Sequence, residues 1–285
     1  MAYSRVNIAL NGGTWRQHWR IGRNESVAAQ NLARQIPHRN PSNYCSTNCS
    51  SRLVDICIKN NVYLPTEKEK NMSEFKAALF DLDGTLIDTE DQYTEFWERI
   101  GSIYCPNSDV AEKIKGTTLK QTLALFFPDA KIQEKVVAEL NKWEAQMRYE
   151  FYPDALKFIQ NLKSHNVTCA IVTSSNKLKM ANVEKQIPNF NKIFDKVLTS
   201  EDFAASKPNP DCYIKAAKAC GCERSECVVF EDAFTGLQAG RDSGIFTIGL
   251  SMSNGREAIA DKCDFVLDGY QNVTYETILQ AKQSV

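Results

Sequence analysis

The sequence predicts an α/β fold built on a doubly wound parallel sheet, with a helical block inserted after the first strand. Two observations carry this. Short apolar runs of strand length alternate with stretches at helical spacing, and the runs end abruptly in carboxylates or hydroxyls. The first run, Ala77-Ala78-Leu79-Phe80, has the length and bulk of a buried parallel strand. From Asp88 to Tyr152 the pattern turns helical. Ile132, Val136, Val137, Leu140, Trp143 and Met147 recur at three- and four-residue spacing, the stripe of an amphipathic helix. The alternation resumes at Pro153-Asp154-Ala155-Leu156, with a helix over 154–164 and a strand over 167–172. A helix over 177–186, a short strand over 196–199 and a helix over 209–220 follow. Strand 227–231, helix 234–243, strand 245–250 and a terminal strand over 264–267 complete the series.

The polar residues that close these runs share one chemistry. Asp81-Leu82-Asp83-Gly84-Thr85 ends the first run with two carboxylates that repel each other unless a cation or shared proton relieves them. Thr168–Val172 ends in Thr173, Ser174, Ser175 and Asn176, and Cys227–Phe230 ends in Glu231 and Asp232. Lys207 lies in a proline-pinned loop, Ser206-Lys207-Pro208-Asn209-Pro210-Asp211. In a parallel sheet the carboxyl ends of strands share one rim, where open α/β sheets place their ligands. Carboxylates, hydroxyls and an ammonium on one rim suit a hard divalent cation and a phosphate. Blander roles remain open: Thr173 as a strand end, Glu231 and Asp232 as helix caps, the Ser and Asn residues as ordinary turns.

Four motifs in this order (Asp-x-Asp-Gly-Thr, Thr, Lys-Pro, Glu-Asp) resemble those of the haloacid dehalogenase (HAD) superfamily of phosphotransferases. The resemblance runs from Phe75 to the end. Within the superfamily the chain is similar to the β-phosphoglucomutase and small sugar-phosphate phosphatase subgroup. The resemblance implies a Rossmann-like core over 72–87 and 153–285 and a helical cap over 88–152. It implies Asp81 as nucleophile, Asp83 as acid/base, and Thr173 and Lys207 as partners of the transferring phosphoryl group. Mg²⁺ would be held by Asp81, Asp232, the backbone carbonyl of Asp83 and Glu231. Leu82, Ser174, Ser175 and Asn176 would contact substrate at the rim, with Lys115, Gly116 and Lys120 reaching it from the cap.

Two departures from the mutase pattern favour hydrolysis. Tyr93 stands where β-phosphoglucomutases carry a cap-linker histidine that delays the acid/base. Their cap arginine for a second phosphate is missing too, since Lys115-Gly116-Thr117-Thr118 is followed by Leu119 and Lys120. Lysine cannot grip phosphate bidentately as arginine does. The expected function is thus Mg²⁺-dependent hydrolysis of small phosphate monoesters, with a β-phosphoglucomutase or a non-catalytic binding module as alternatives.

Composition sets the remaining expectations. With 43% apolar residues the chain can bury one sizeable core and a smaller one. Its ten cysteines are scattered, and Cys220, Cys222 and Cys227 lack the spacing of a zinc site, so they read as reduced thiols. Residues 1–71 hold seven Arg and three Lys against four acidic residues, net +6, and residues 72–285 carry net −7. That first segment reads as a basic, disordered extension or as an artefact of an upstream start, because Met72 leads straight into the first strand and the preceding Glu67-Lys68-Glu69-Lys70 is a purine-only coding tract. The expected partner is a small phosphorylated metabolite, with no nucleic acid and no membrane, for a cytoplasmic monomer.

Overall fold

The computed structural model describes residues 5–10, 13–18, 74–114 and 117–285. Near the N-terminus, β1 (Arg5–Leu10) pairs antiparallel with β2 (Gly13–His18), a hairpin that the weak periodicity there had not suggested. The reading of the rest of residues 1–71 falls outside the described residues.

A six-stranded parallel sheet forms the second unit. Its strands are β3 (Ala77–Phe80), β4 (Thr168–Val172), β5 (Lys196–Leu198), β6 (Cys227–Glu231), β7 (Phe246–Leu250) and β8 (Phe265–Leu267), in the order β5-β4-β3-β6-β7-β8. The central position of β3 follows from its side chains, which are apolar on both faces and fully buried. Ala78 and Phe80 join Cys169, Ile171, Val228 and Phe230 in one core layer, while Ala77 and Leu79 join Ala170, Val172, Cys227 and Val229 in the other. Phe80 stacks on Phe230 at 4.5 Å between ring centroids, and Phe158 packs edge-on against Phe230 at 5.5 Å.

Between β3 and β4 lie α1 (Glu90–Tyr104), α2 (Val110–Lys113), α3 (Leu119–Phe126) and α4 (Ala130–Glu144). They bury a core of their own from Phe96, Trp97, Ile100, Val110, Phe127, Val136 and Leu140. Their starts are legible: Thr118 and Gln121 form a capping box on α3, and Asp129 accepts the amide N–H groups of Lys131 and Ile132 on α4. The helical stripe needs one correction. The α4 helix ends at Glu144, so Met147 lies beyond it and packs into the main sheet core rather than the cap core. Trp143 borders both layers.

The second half adds α5 (Ala155–Ser164), α6 (Lys177–Gln186), α7 (Phe190–Ile193), α8 (Asp211–Ala219), α9 (Phe234–Asp242), α10 (Arg256–Ile259) and α11 (Tyr275–Gln283). Helices α7, α10 and α11 were not anticipated. The last is started by a Thr274–Thr277 capping box and anchored by Tyr275, which stacks on Phe75 at 4.8 Å. Among the cysteines, Cys169 and Cys212 are buried and Cys220 is half-buried; all three are free thiols. No helix among the described residues is long and apolar enough to cross a membrane.

Replacing Phe80 by Ala removes the ring at the centre of this stack without touching the polar rim. The expected loss is about 3–5 kcal/mol, read from the urea unfolding midpoint. A loss below about 1 kcal/mol would show that the layer is not packed as described.

Candidate active site

The rim forms where β3 meets β4 on one side and β6 on the other, the point at which strand order reverses. Pairing of Ala77 with Cys227, and of Phe80 with Phe230, brings Asp81 level with Glu231 by register. Lys207 reaches this point from the β5–α8 loop. Its ammonium donates to Asp81 Oδ1 at 2.6 Å, to Glu231 Oε1 at 2.6 Å and to the Val172 carbonyl at 3.1 Å. Glu231 is fully engaged: Oε1 also accepts from the Tyr213 hydroxyl at 3.0 Å, and Oε2 accepts the amides of Asp232 and Ala233. Asp232 Oδ1 accepts from the Thr85 hydroxyl at 2.8 Å, and the Asn254 amide donates to its carbonyl.

Two glycines make this crowding possible. A Cβ at Gly236 would collide with the Glu231 carboxylate, and one at Gly84 would collide with Asp232. Gly84 also holds φ +73°, which disfavours any larger residue.

Asp83 stands slightly apart. Its Oδ1 accepts from Thr89 at 2.7 Å, and its Oδ2 accepts from Ser175 at 2.9 Å and pairs with the Lys179 ammonium at 2.5 Å. Lys179 also lies over the ring of Tyr93, 4.6 Å from its centroid, and the Tyr93 hydroxyl donates to Glu144 Oε1 at 2.9 Å. Cap and core touch again where Gln121 donates to the Lys207 carbonyl and Ser206 to the Thr118 hydroxyl.

A pocket of about 680 Å³ opens over this rim, a size suited to a small metabolite. Asp81, Asp83, Thr173, Ser174, Ser175, Asn176, Lys207, Glu231, Asp232 and, from the cap, Lys120 line it. Leu82 is fully buried and its side chain is not among the described lining residues. Thr173 accepts the Ser175 amide, and the Asn176 side chain caps α6 by accepting the Lys179 amide, so the hydroxyl cluster is also a helix start. Lys115 and Gly116 lie outside the described residues.

Sequence reasoning missed Lys179, Glu144 and Tyr213. A signal for Lys179 was present: it falls with Met180 and Val183 on the buried stripe of α6, where an unpaired lysine does not belong. Glu144 and Tyr213 sit on ordinary helical faces, and only the fold brings them to the rim.

Four carboxylates, Asp81, Asp83, Glu231 and Asp232, face two buried ammonium groups, Lys207 and Lys179. The imbalance appears in the acidities. Burial, with Glu231 and Asp83 adding to it, raises Asp81 to about 7 despite Lys207. Burial and the charges of Glu231 and Asp81 hold Asp232 well above the carboxylate range. Asp83 goes the other way, because Lys179, Thr89 and Ser175 outweigh its burial. Oxygen donors of Asp81, Glu231 and Asp232 lie within 4.8 Å of one another, the hard donor set a cation such as Mg²⁺ prefers. Asp81 and Asp232 fit that role directly. Glu231 fits it only by sharing oxygens that already accept four hydrogen bonds.

In chelator, Asp81 and Asp232 keep their protons to higher pH folded than unfolded. Asp81 therefore weakens the fold as pH climbs from about 4 through about 7, and Asp232 acts in the same direction, the reverse of the Asp83 contribution, which is lost only at lower pH. The metal-free Tm should fall between about pH 5 and pH 8, and Mg²⁺ should raise it more at pH 8 than at pH 5. A Tm indifferent to Mg²⁺ at pH 8 would count against a cation at this rim.

Comparison with known proteins agrees with this arrangement. Residues 78–250 match the model of the haloacid dehalogenase-like hydrolase family. The chain is similar to the validoxylamine A 7'-phosphate phosphatase of Streptomyces hygroscopicus subsp. limoneus, 31% identical over 195 residues, 66% of this chain and 91% of that protein. It is 27% identical over 210 residues to the bifunctional riboflavin kinase/FMN phosphatase of Arabidopsis thaliana, covering 70% of this chain and 54% of that protein, so it spans about half that relative's length. In fold it resembles β-phosphoglucomutase from Clostridium difficile, with a TM-score of 0.63 at 19% identity, over 74% of this chain and 98% of that one. The chain belongs to the haloacid dehalogenase-like hydrolase family.

Proposed function

We propose that the chain is a Mg²⁺-dependent phosphatase of small phosphate monoesters, chiefly sugar phosphates, working through an aspartyl-phosphate on Asp81. The observation that carries this is the Lys207 bridge. It holds Asp81 by one oxygen, Oδ1, while Oδ2 accepts no hydrogen bond among the described residues and the side chain lines the pocket.

Asp81 Oδ2 attacks phosphorus in line, and the bond from phosphorus to the ester oxygen breaks as Asp83, in the protonated form that the second half of each turnover regenerates, gives that oxygen its proton. Asp83 then removes a proton from the water that attacks the aspartyl-phosphate, releasing inorganic phosphate and restoring Asp81. The Lys207 ammonium offers its charge and the Thr173 hydroxyl a donor to the phosphoryl oxygens, where charge stabilisation does most of the catalytic work. Mg²⁺, held by Asp81, Asp232, the Asp83 carbonyl and Glu231, would supply charge neutralisation for the carboxylates and the phosphoryl group.

Hydrolysis is favoured over a mutase by the cations of the pocket. Among its described lining residues these are Lys120, Lys179 and Lys207, and the last two are already bound to carboxylates. Among those described lining residues, only Lys120 remains for a second phosphate. Incubation with β-glucose 1-phosphate and a trace of the bisphosphate tests the choice: free phosphate supports the phosphatase, glucose 6-phosphate the mutase. Absence of turnover across a panel of sugar, polyol and nucleotide phosphates would leave the binding-module reading.

Asp81→Asn should lower turnover by at least ~10³-fold, because an amide is no nucleophile toward phosphorus. Asp232→Ala should raise the Mg²⁺ concentration needed for half-maximal activity more than Glu231→Gln does. Near-normal turnover in Asp81→Asn would sink the mechanism.

Lys120, exposed on the first turn of α3 and lining the pocket, is placed to read the leaving group. Lys120→Ala should change kcat/KM unequally across sugar phosphates and leave a small aryl phosphate nearly unaffected. A uniform change, or none, would remove Lys120 from specificity.

A further inference from the structure

Asp83 is poorly free to do its work as the structure holds it. Thr89 occupies one carboxylate oxygen, and Ser175 and Lys179 occupy the other. To give a proton to a leaving oxygen, Asp83 must release a partner. Releasing a hydroxyl leaves a neutral group that a substrate or water can satisfy. Releasing Lys179 leaves a buried ammonium, 2% exposed, with no counter-ion, which is strongly unfavourable.

A second carboxylate stands close by. Glu144, the last residue of α4, is buried and lines the same pocket. Its Oε1 accepts from Tyr93, whereas Oε2 is, among the described residues, the buried side-chain polar atom without a hydrogen-bond partner. Such an orphan calls for an explanation. The Lys179 ammonium already lies over the ring of the same tyrosine that holds Glu144. Burial raises the pKa of Glu144, and the Lys179 charge opposes that rise, so the two groups feel each other. A lysine stem has four flexible carbons with which to change partners.

We infer that Lys179 is a positioning residue that passes its ammonium from Asp83 to Glu144 when Asp83 engages the leaving oxygen. The inference rests on the phosphatase reading above. Lys179 belongs to the core and Glu144 to the cap, so the handover ties release of the acid/base to the seating of the cap on the rim. With Glu144 made unable to take the charge, Lys179 stays on Asp83, and esters whose leaving oxygen needs a proton suffer. Aryl phosphates, whose leaving oxygen departs as an anion, do not.

The test compares Glu144→Gln, Lys179→Met, their double variant and Tyr93→Phe with the natural full chain in Mg²⁺, using glycerol phosphate and p-nitrophenyl phosphate. The readout is kcat/KM, which reports transfer to Asp81, with thermal unfolding as the check on folding. Glu144→Gln and Tyr93→Phe should lose roughly 10-fold or more on the alkyl ester and less than about 3-fold on the aryl ester. Lys179→Met removes the ammonium that Glu144 must take and should lose less on the alkyl ester than Glu144→Gln does. The double variant should follow Lys179→Met, as for residues acting in one device. Wild-type rates in Glu144→Gln, equal losses on both esters, or losses that multiply in the double variant would each overturn the inference. Asp81→Asn separates the two claims: if it is inactive while Glu144→Gln is normal, only the lysine handover fails, and if it is active the phosphatase reading fails as well.

Discussion

A buried ammonium between two buried carboxylates is the interaction on which the rest of this structure depends. Lys207 is 3% exposed, and its charge survives there because Asp81, Glu231 and the Val172 carbonyl surround it on three sides. Burial alone would depress its pKa, yet the two carboxylates hold it well above the ordinary lysine value. The demands then spread outward. Glu231 must be fixed, which Tyr213 and two backbone amides achieve. Gly236 must lack a side chain, since a Cβ would occupy the place of the Glu231 carboxylate. The sheet register serves the same end, because the pairing of β3 with β6 sets the height at which Asp81 and Glu231 meet.

The cap answers to a second charged centre. Asp83 and Lys179 form a core ion pair, but the groups around that pair come from helices of the cap, through Tyr93 on α1 and Glu144 on α4. The cap is therefore more than a cover. Its own apolar core, around Phe96 and Val136, fixes the relative placement of α1 and α4, and with it the distance from Tyr93 to Glu144. A packing change in that layer can thus reach Asp83 without touching any residue of the rim.

The legibility of the fold followed the physics of each element. Strands β3, β4, β6 and β7 were readable because a strand buried on both faces leaves a nearly uninterrupted apolar run that few other structures produce, whereas the edge strands β5 and β8 were read from their place in the alternation. Their polar ends were readable for the same reason: a carboxylate directly after Phe80 or Phe230 has to lie at the rim. Helix α11 was missed because its stripe of Tyr275, Ile278 and Ala281 is short and only moderately apolar. Met147 was misplaced because periodicity continues past Glu144 while the chain does not remain helical. Glu144 could not be read as part of the site at all. A glutamate at the end of an amphipathic helix looks solvated until the fold sets a buried lysine and a tyrosine near it.

Charge accounting also bears on what the pocket can accept. With two lysines set against four carboxylates, the rim is short of two positive charges before any substrate arrives. A divalent cation would restore neutrality but leave no surplus for a phosphate dianion, which must rely on the charge of the Lys207 ammonium, on hydroxyls and on backbone amides. A substrate with a second phosphate would bring two further negative charges toward a wall whose described lining residues include Thr117, Thr118, Thr122, Ser206 and Glu144, and Lys120 as its uncommitted cation. Neutral hydroxyl-bearing leaving groups meet no such penalty, and the threonine and serine hydroxyls of that wall can both donate to and accept from them. The same shortage of positive charge therefore supports the proposed preference for a monophosphate ester with a polar, uncharged leaving group.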